Sequence, residues 1–449
     1  MAPPIQPKIH IIGAGWAGLS AAVHASLHGW QVVLYEAAHH PGGRARASEH
    51  HGQTYDNGQH LLLGAYADTL ALLGTLGVPM DEVLERHPLH LCDSQGHGLR
   101  LPRAAKWRGI MQATFNNQRW HARDRLSWLS WLASLGLWHL SHQVILALTG
   151  KSWDVSVSQL CALASPRVRR DVVEPLCLAA LNTPVQEASG AVFARVMVDA
   201  FSNAPQSCDF LIPRVNLSSL LATPAVAWLK ARGASLHFGQ RIQALSDLPR
   251  LAHEPVIVAT SAWQAAHLTR GTHPDWSARA QDLCHYPIAT VYVSAKAPPP
   301  LSRNPDPVVM LETTLKAPAQ FAIRTHFKSR QGDDQTTVWA LVVSDSRGHD
   351  RESLIALVLA QAEHDLGLNA PQLERCIVEK RATFAALVGQ RRPPMRVGPG
   401  LWACGDYVDG PYPSTLEGAV RSGQAVIQAL MPTFNEPLAA KTLGRRAND

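Results

Sequence analysis

A short apolar run, Lys8–Ile12, breaks into Gly13-Ala14-Gly15-Trp16-Ala17-Gly18, and this pattern constrains the chain more than any other. The run predicts a buried strand. Residues 19–28 predict a helix that stops at Gly29, and residues 31–35 predict a second strand ending at Glu36. Strand, G-x-G-x-x-G turn, helix and strand make a βαβ unit of the dinucleotide-binding kind. Gly13 permits the tight turn, Gly15 lets a pyrophosphate approach the backbone, and Gly18 lets helix and strand pack closely. Glu36 stands 18 residues past Gly18, where an acid accepts hydrogen bonds from the ribose of an adenine nucleotide.

Three further segments extend this reading. Pro41-Gly42-Gly43-Arg44-Ala45-Arg46 follows the unit directly, and its arginines suit charge-assisted bonds to phosphate oxygens. Tyr55-Asp56-Asn57-Gly58-Gln59-His60 is turn chemistry leading into the apolar residues 61–63. His60 is the one side chain there that exchanges protons near pH 7, although a hydrogen-bonded turn histidine fits the local sequence as well. Near the C-terminus, Leu401-Trp402-Ala403-Cys404-Gly405-Asp406 predicts a strand ending in Gly-Asp. A stiff Pro/Gly loop follows, then a helix from Ser414 or Thr415 to about Leu430. Asp406 suits polyol hydroxyls, the helix start near Thr415 and Leu416 suits negative charge on a reduced ring, and Gly418, Ala419 and Gly423 permit close helix packing.

The chain has 449 residues, enough for two or three domains, with 46% hydrophobic and 17% charged residues. This composition excludes a wholly disordered or collagen-like chain. The net charge of +6 suits an anionic cofactor or membrane face as well as nucleic acid, and no motif favours nucleic acid. Seven scattered cysteines without a Cys-x-x-Cys pair argue against a disulfide framework and a zinc ribbon. The start MAPPIQPKIHIIGAG lacks a signal-peptide pattern, so a cytoplasmic, reducing location is expected.

Together, GAGWAGLSAA, Glu36, GGRAR, DNGQH and WACGDYVDGPYPSTLEGAVRSG resemble the FAD-dependent amine oxidase and phytoene desaturase superfamily. Within it, DNGQHLLLGAY, EPLCLAALNTP and GDYVDGPYPSTLEGAVRSG are most similar to the hydroxysqualene dehydroxylase subfamily. The resemblance runs from about Lys8 to Leu430. It implies an α/β fold: a Rossmann-like FAD-binding domain of amine oxidase type with a discontinuous α+β substrate domain. It implies FAD as cofactor, with Gly13, Gly15, Ala17 and Gly18 at the pyrophosphate and Glu36 at the ribose. Gly43, Arg44 and Arg46 would flank the phosphates, Ile242 would contact adenine through its backbone, Gly405 and Asp406 would meet the ribityl region, and Thr415 and Leu416 would abut the flavin ring.

The expected FAD-binding pieces are 1–75, 226–262 and 395–449, with substrate-domain pieces at 76–225, largely helical, and 263–394, mixed sheet and helix. Strands are expected at Ser235–Phe238, 256–260, 288–293, 321–326 and 337–343, a helix at 353–366, and loops at 297–300 and 391–400. Residues 126–150 contain no Asp, Glu, Lys or Arg. Serines at 127, 130, 134 and 141 form a polar stripe, and Trp128, Trp131, Leu135 and Trp138 an apolar one, so one or two helices are expected. They would cover a greasy tunnel and could dip into one leaflet at the inner face of the cytoplasmic membrane, the alternative being an ordinary buried helix. Residues 176–184 and 193–201 are either plain core or the walls of a hydrocarbon pocket.

The resemblance implies reduction of the allylic C30 alcohol hydroxysqualene to squalene, with upstream prenyl synthases of that pathway as partners. The step needs an acid and a dry pocket. His60 is the first candidate, followed by Asp409, Tyr407 and Tyr412 on the Gly-Asp-Tyr loop. The alternatives are a phytoene-type carotenoid desaturase, a flavin amine oxidase, and a non-catalytic prenyl-binding protein on the same fold.

Overall fold

The computed structural model describes residues 7–103, 106–150, 153–202, 206–251, 253–296, 306–329 and 336–435. A six-stranded sheet gathers segments from the whole chain. Its order is Ser235–Phe238, Gln31–Glu36, Lys8–Ile12, Val256–Val258, Leu401–Ala403 and Arg396–Gly398. The first five strands are parallel and the last is an antiparallel edge. Lys8–Ile12 lies opposite Gln31–Tyr35 on one side and, through His10–Ile12, opposite Val256–Val258 on the other. Central strands covered on both faces read as unbroken apolar runs, and Ile9, Ile11, Ile257 and Val258 are fully buried.

The helix Trp16–Leu27 starts three residues earlier than the sequence predicts. Extended Gly15 is its N-cap, and the glycine turn leads straight into the first helical turn. The helix Leu416–Asn435 crosses Trp16–Leu27 at very short range. An added Cβ at Gly423 would lie 2.3 Å from the Ala17 carbonyl oxygen, and Ser20 Oγ donates to Val420 O at 2.8 Å. The predicted small-residue packing therefore falls on Gly423.

A five-stranded antiparallel sheet forms the second layer, in the order Val308–Met310, Phe321–Arg324, Thr336–Ser344, His285–Lys296 and Gln372–Phe384. Arg351–Leu366 packs on one face, capped by Asp350, whose carboxylate accepts from the amides of Glu352 and Ser353. The opposite face turns Ile288, Phe321, Ile323, Val342 and Ile377 toward a cavity. The long strand Gln372–Phe384 is not among the predicted elements, and the predicted loop 391–400 contains the edge strand Arg396–Gly398. The predicted loop 297–300 lies outside the described residues.

Residues 126–150 form part of one continuous helix, Ala122–Thr149, ended by Gly150 at φ 65°. Trp128 and Trp131 stack at 5.4 Å on its buried face, and Trp131 meets Phe193 of the helix Gly190–Ser202 at 6.4 Å. Asn182 ties the helical region to the second sheet. Its amide donates to Thr383 Oγ1 at 2.9 Å and its carbonyl accepts from the Asp345 amide at 2.7 Å.

Candidate FAD site and active site

The C-terminal ends of the parallel strands open into a cavity of about 630 Å³. Gly13, Gly15, Ala17 and Glu36 line one end, Gly43 and Arg44 the flank, and Gly405, Asp406, Thr415 and Leu416 the middle. Ile242 is buried in the wall beside Gln240 and Arg241. The cavity continues into an apolar arm bounded by Leu89, Leu91, Leu176, Ala180, Met197 and Phe201. Segments 176–184 and 193–201 thus supply cavity wall as well as core.

Each glycine at the nucleotide end has a stated geometry. Gly13 has φ +111°, and a Cβ there would stand 2.6 Å from Ala259 O. Gly15 and Gly43 bring their two loops into close contact: an added Cβ at Gly43 would lie 3.1 Å from Gly15 Cα, and the Gly42 amide donates to Ala14 O at 2.8 Å. Gly15 also leaves the first turn of its helix without a side-chain cap, which suits an anion. Glu36 closes this end, with Oε2 accepting from the Ala14 amide at 2.7 Å and Oε1 from the Ala38 amide at 2.8 Å.

Four predicted positions lie off the cavity wall. Gly18 does not line the cavity: an added Cβ would sit 2.0 Å from Gly13 O, so its smallness serves turn–helix packing. Arg46 also lies off the cavity wall, because the turn at 43–45 separates it from Arg44 and its carbonyl accepts from the Asn57 amide at 2.8 Å. Asp409 is exposed and away from the cavity, its amide bonded to Pro393 O at 2.9 Å. Tyr407, another of the reserve candidates, is buried but also outside the lining.

Arg44 and Asp406 form an ion pair at 2.6 Å, and Arg44 also donates to Ala382 O. Burial alone would raise the Asp406 carboxyl. The charge and hydrogen bond of Arg44, with a hydrogen bond from Ser414, outweigh it and hold the carboxyl below its ordinary range. Thr415 is the helix cap, its Oγ1 accepting from the Gly418 amide at 3.0 Å.

His60 and Tyr412, two of the groups able to handle protons, face the cavity. His60 Nδ1 donates to Gly58 O at 2.9 Å, which makes Nε2 the acceptor nitrogen of the neutral ring. Burial, reinforced by the Arg44 charge and partly opposed by the Gly58 bond, lowers the His60 pKa. The lowered pKa favours the neutral ring, in which Nε2 accepts a hydrogen bond. Tyr412 donates its hydroxyl proton to Asp199 Oδ2 at 2.5 Å, and Arg195 bonds the same oxygen at 2.8 Å. Burial and Asp199 raise the Tyr412 pKa. Arg392 donates to Tyr412 O at 2.7 Å and so fixes the loop. Asp199 was not predicted. Its signal was the Arg195-x-x-x-Asp199 pair, two charges one turn apart in an otherwise apolar helix.

The model for the family described as flavin containing amine oxidoreductase matches residues 16–431. The chain belongs to this family and is an FAD-dependent oxidoreductase. It is 29% identical to a hydroxysqualene dehydroxylase of Rhodopseudomonas palustris, over 93% of this chain and 97% of that one. It is 26% identical to a protein of the same name from Zymomonas mobilis, over 92% and 97%. Among solved structures, putrescine oxidase shares the fold with TM-score 0.67 at 14% identity, covering 96% of this chain and all of that one. Cyclohexylamine oxidase from Brevibacterium oxydans gives 0.65 at 14% identity with the same coverage.

Proposed function

We propose that this enzyme reduces hydroxysqualene, an allylic C30 alcohol, to squalene and water. The observation that carries this reading is the single cavity that joins the nucleotide groove to an apolar arm. The full-length similarity to proteins named hydroxysqualene dehydroxylase supports the same substrate class.

Reduced FAD, when bound, supplies the hydride that replaces the hydroxyl. The remaining work falls to side chains. Gly13, Gly15, Glu36 and the Arg44–Asp406 pair, which line the strand ends, would hold the cofactor. Leu89, Leu176, Met197 and Phe201 take the hydrocarbon and keep water out. His60 Nε2 accepts a hydrogen bond from the substrate hydroxyl and orients it. The Tyr412–Asp199 pair holds the proton that leaves with the hydroxyl as water. The carbon–oxygen bond breaks, a carbon–hydrogen bond forms, and two electrons pass to the substrate.

The test is anaerobic. The flavin-loaded protein is reduced with dithionite, excess reductant is removed, and hydroxysqualene is added. Squalene should form with about one flavin reoxidised per product. A flavin that stays reduced with the alcohol recovered intact sinks the reading. Desaturation of an added polyene by the oxidised enzyme would replace it with the carotenoid-type reaction.

A further inference from the structure

The helix Ala122–Thr149 has an outer face that none of the described residues covers. Its inner face is seated on the protein through Trp128, Trp131 and Leu135, all buried. At 3.6 residues per turn, Leu126, Leu137, Leu140, Val144 and Leu148 fall within an arc of about 80° on the opposite side. Leu137 is 69% exposed and Leu148 is 79% exposed. The stripe extends about 33 Å, and no charged residue interrupts positions 126–150. Burial of such a surface in water is strongly favoured, so an exposed stripe of this length marks an interaction face.

Two observations identify its occupant as lipid. In the last two turns Val144, Ile145, Leu146 and Leu148 are 48%, 39%, 37% and 79% exposed, and they point in different directions around the axis. A flat protein partner covers one side of a helix, whereas a hydrocarbon phase covers all of it. Three hydroxyls on this helix are also satisfied by its own backbone. Ser134 Oγ donates to Trp131 O, Ser141 Oγ to Trp138 O and Thr149 Oγ1 to Ile145 O, at 2.8, 2.8 and 2.7 Å. That is the arrangement a medium without water demands.

The borders match a headgroup layer. Trp153 is partly exposed and meets Trp138 edge-on at 5.1 Å, and Arg123 stands exposed in the first turn beside the stripe. We infer that the outer face of Ala122–Thr149 docks this enzyme on a bilayer carrying anionic headgroups, with the C-terminal turns immersed in acyl chains and the inner face fixed to the protein. The neighbouring helix Gly190–Ser202 contributes Val196 and Met197 to the cavity, so the membrane face lies one helix layer from the apolar arm. The inference does not depend on the reaction proposed above.

Co-sedimentation of the flavin-loaded chain with phosphatidylcholine–phosphatidylglycerol vesicles tests it. The wild type should pellet with them. Leu137→Ser/Leu140→Ser/Leu148→Ser should weaken partitioning by at least about tenfold, with flavin spectrum and melting temperature unchanged. Arg123→Glu should weaken binding to these vesicles more than to pure phosphatidylcholine. A wild type that stays in the supernatant, or a triple variant that pellets like it, overturns the inference. So does a lipid-free dimer that the triple variant converts to monomer, because a second copy then covers the face.

Discussion

His60 and Tyr412 illustrate how an environment assigns roles that residue type alone leaves open. Histidine at the cavity suggests an acid, yet burial and Arg44 keep this ring neutral and its Gly58 bond fixes the acceptor at Nε2. His60→Gln should therefore lower single-turnover flavin reoxidation by hydroxysqualene less than about tenfold, and Tyr412→Phe by about a hundredfold. Stopped-flow absorbance checks both, and the reverse order would return the acid to His60. Asp56, in the same turn, carries a different signal. Burial raises its carboxyl to about 7, partly offset by the bond from the Leu217 amide. A carboxyl with a higher pKa folded than unfolded adds stability below about pH 4 and loses it as pH rises to about 7. Wild type minus Asp56→Asn should thus decline over that window by up to about 4 kcal/mol in urea unfolding. A flat difference would show that Asp56 does not titrate this way.

At the scale of elements, two helix glycines make opposite predictions from one propensity. Alanine is intrinsically better than glycine in a helix by about 1 kcal/mol. Gly136 has nothing within 4 Å of an added Cβ, so Gly136→Ala should stabilise the chain by up to about that amount. Gly423 meets the Ala17 backbone, so Gly423→Ala should instead cost about 1–3 kcal/mol and weaken flavin retention, since it displaces the helix whose N-terminus faces the nucleotide. Thermal melting and flavin release on dilution measure the pair. Equal signs for the two variants would refute the packing argument.

At the scale of the molecule, the parallel sheet was legible because its strands are buried on both faces and read as apolar runs between glycines. The cofactor groove followed from those same glycines, with Glu36, Arg44 and Asp406 placed on its wall. What sequence missed has physical reasons. Gln372–Phe384 pairs on one side only, as a sheet edge, and carries Glu374, Arg375, Glu379, Lys380 and Arg381, so charge hides its twofold pattern. Arg46 and Asp409 sit in loops whose turns no spacing rule fixes. Asp199 and Tyr412 meet only through tertiary folding, 213 residues apart. The helix Ala122–Thr149 was legible as a helix, but only burial of one face distinguished its seated side from its open one.

The strand Leu401–Ala403 lies inside the six-stranded sheet, and Asp406, just beyond it, pairs with Arg44 across 362 residues. These segments follow in the chain the strands and the arginine that they join. Until they emerge, Val256–Val258 presents a bare strand edge and the groove lacks its middle wall, so a nascent chain has no completed place for a flavin. A flavin therefore meets its full set of wall residues only once Leu401–Ala403 has joined the sheet. Since a ligand that binds only the completed fold stabilises it by mass action, the flavin-loaded protein should melt above the flavin-free one.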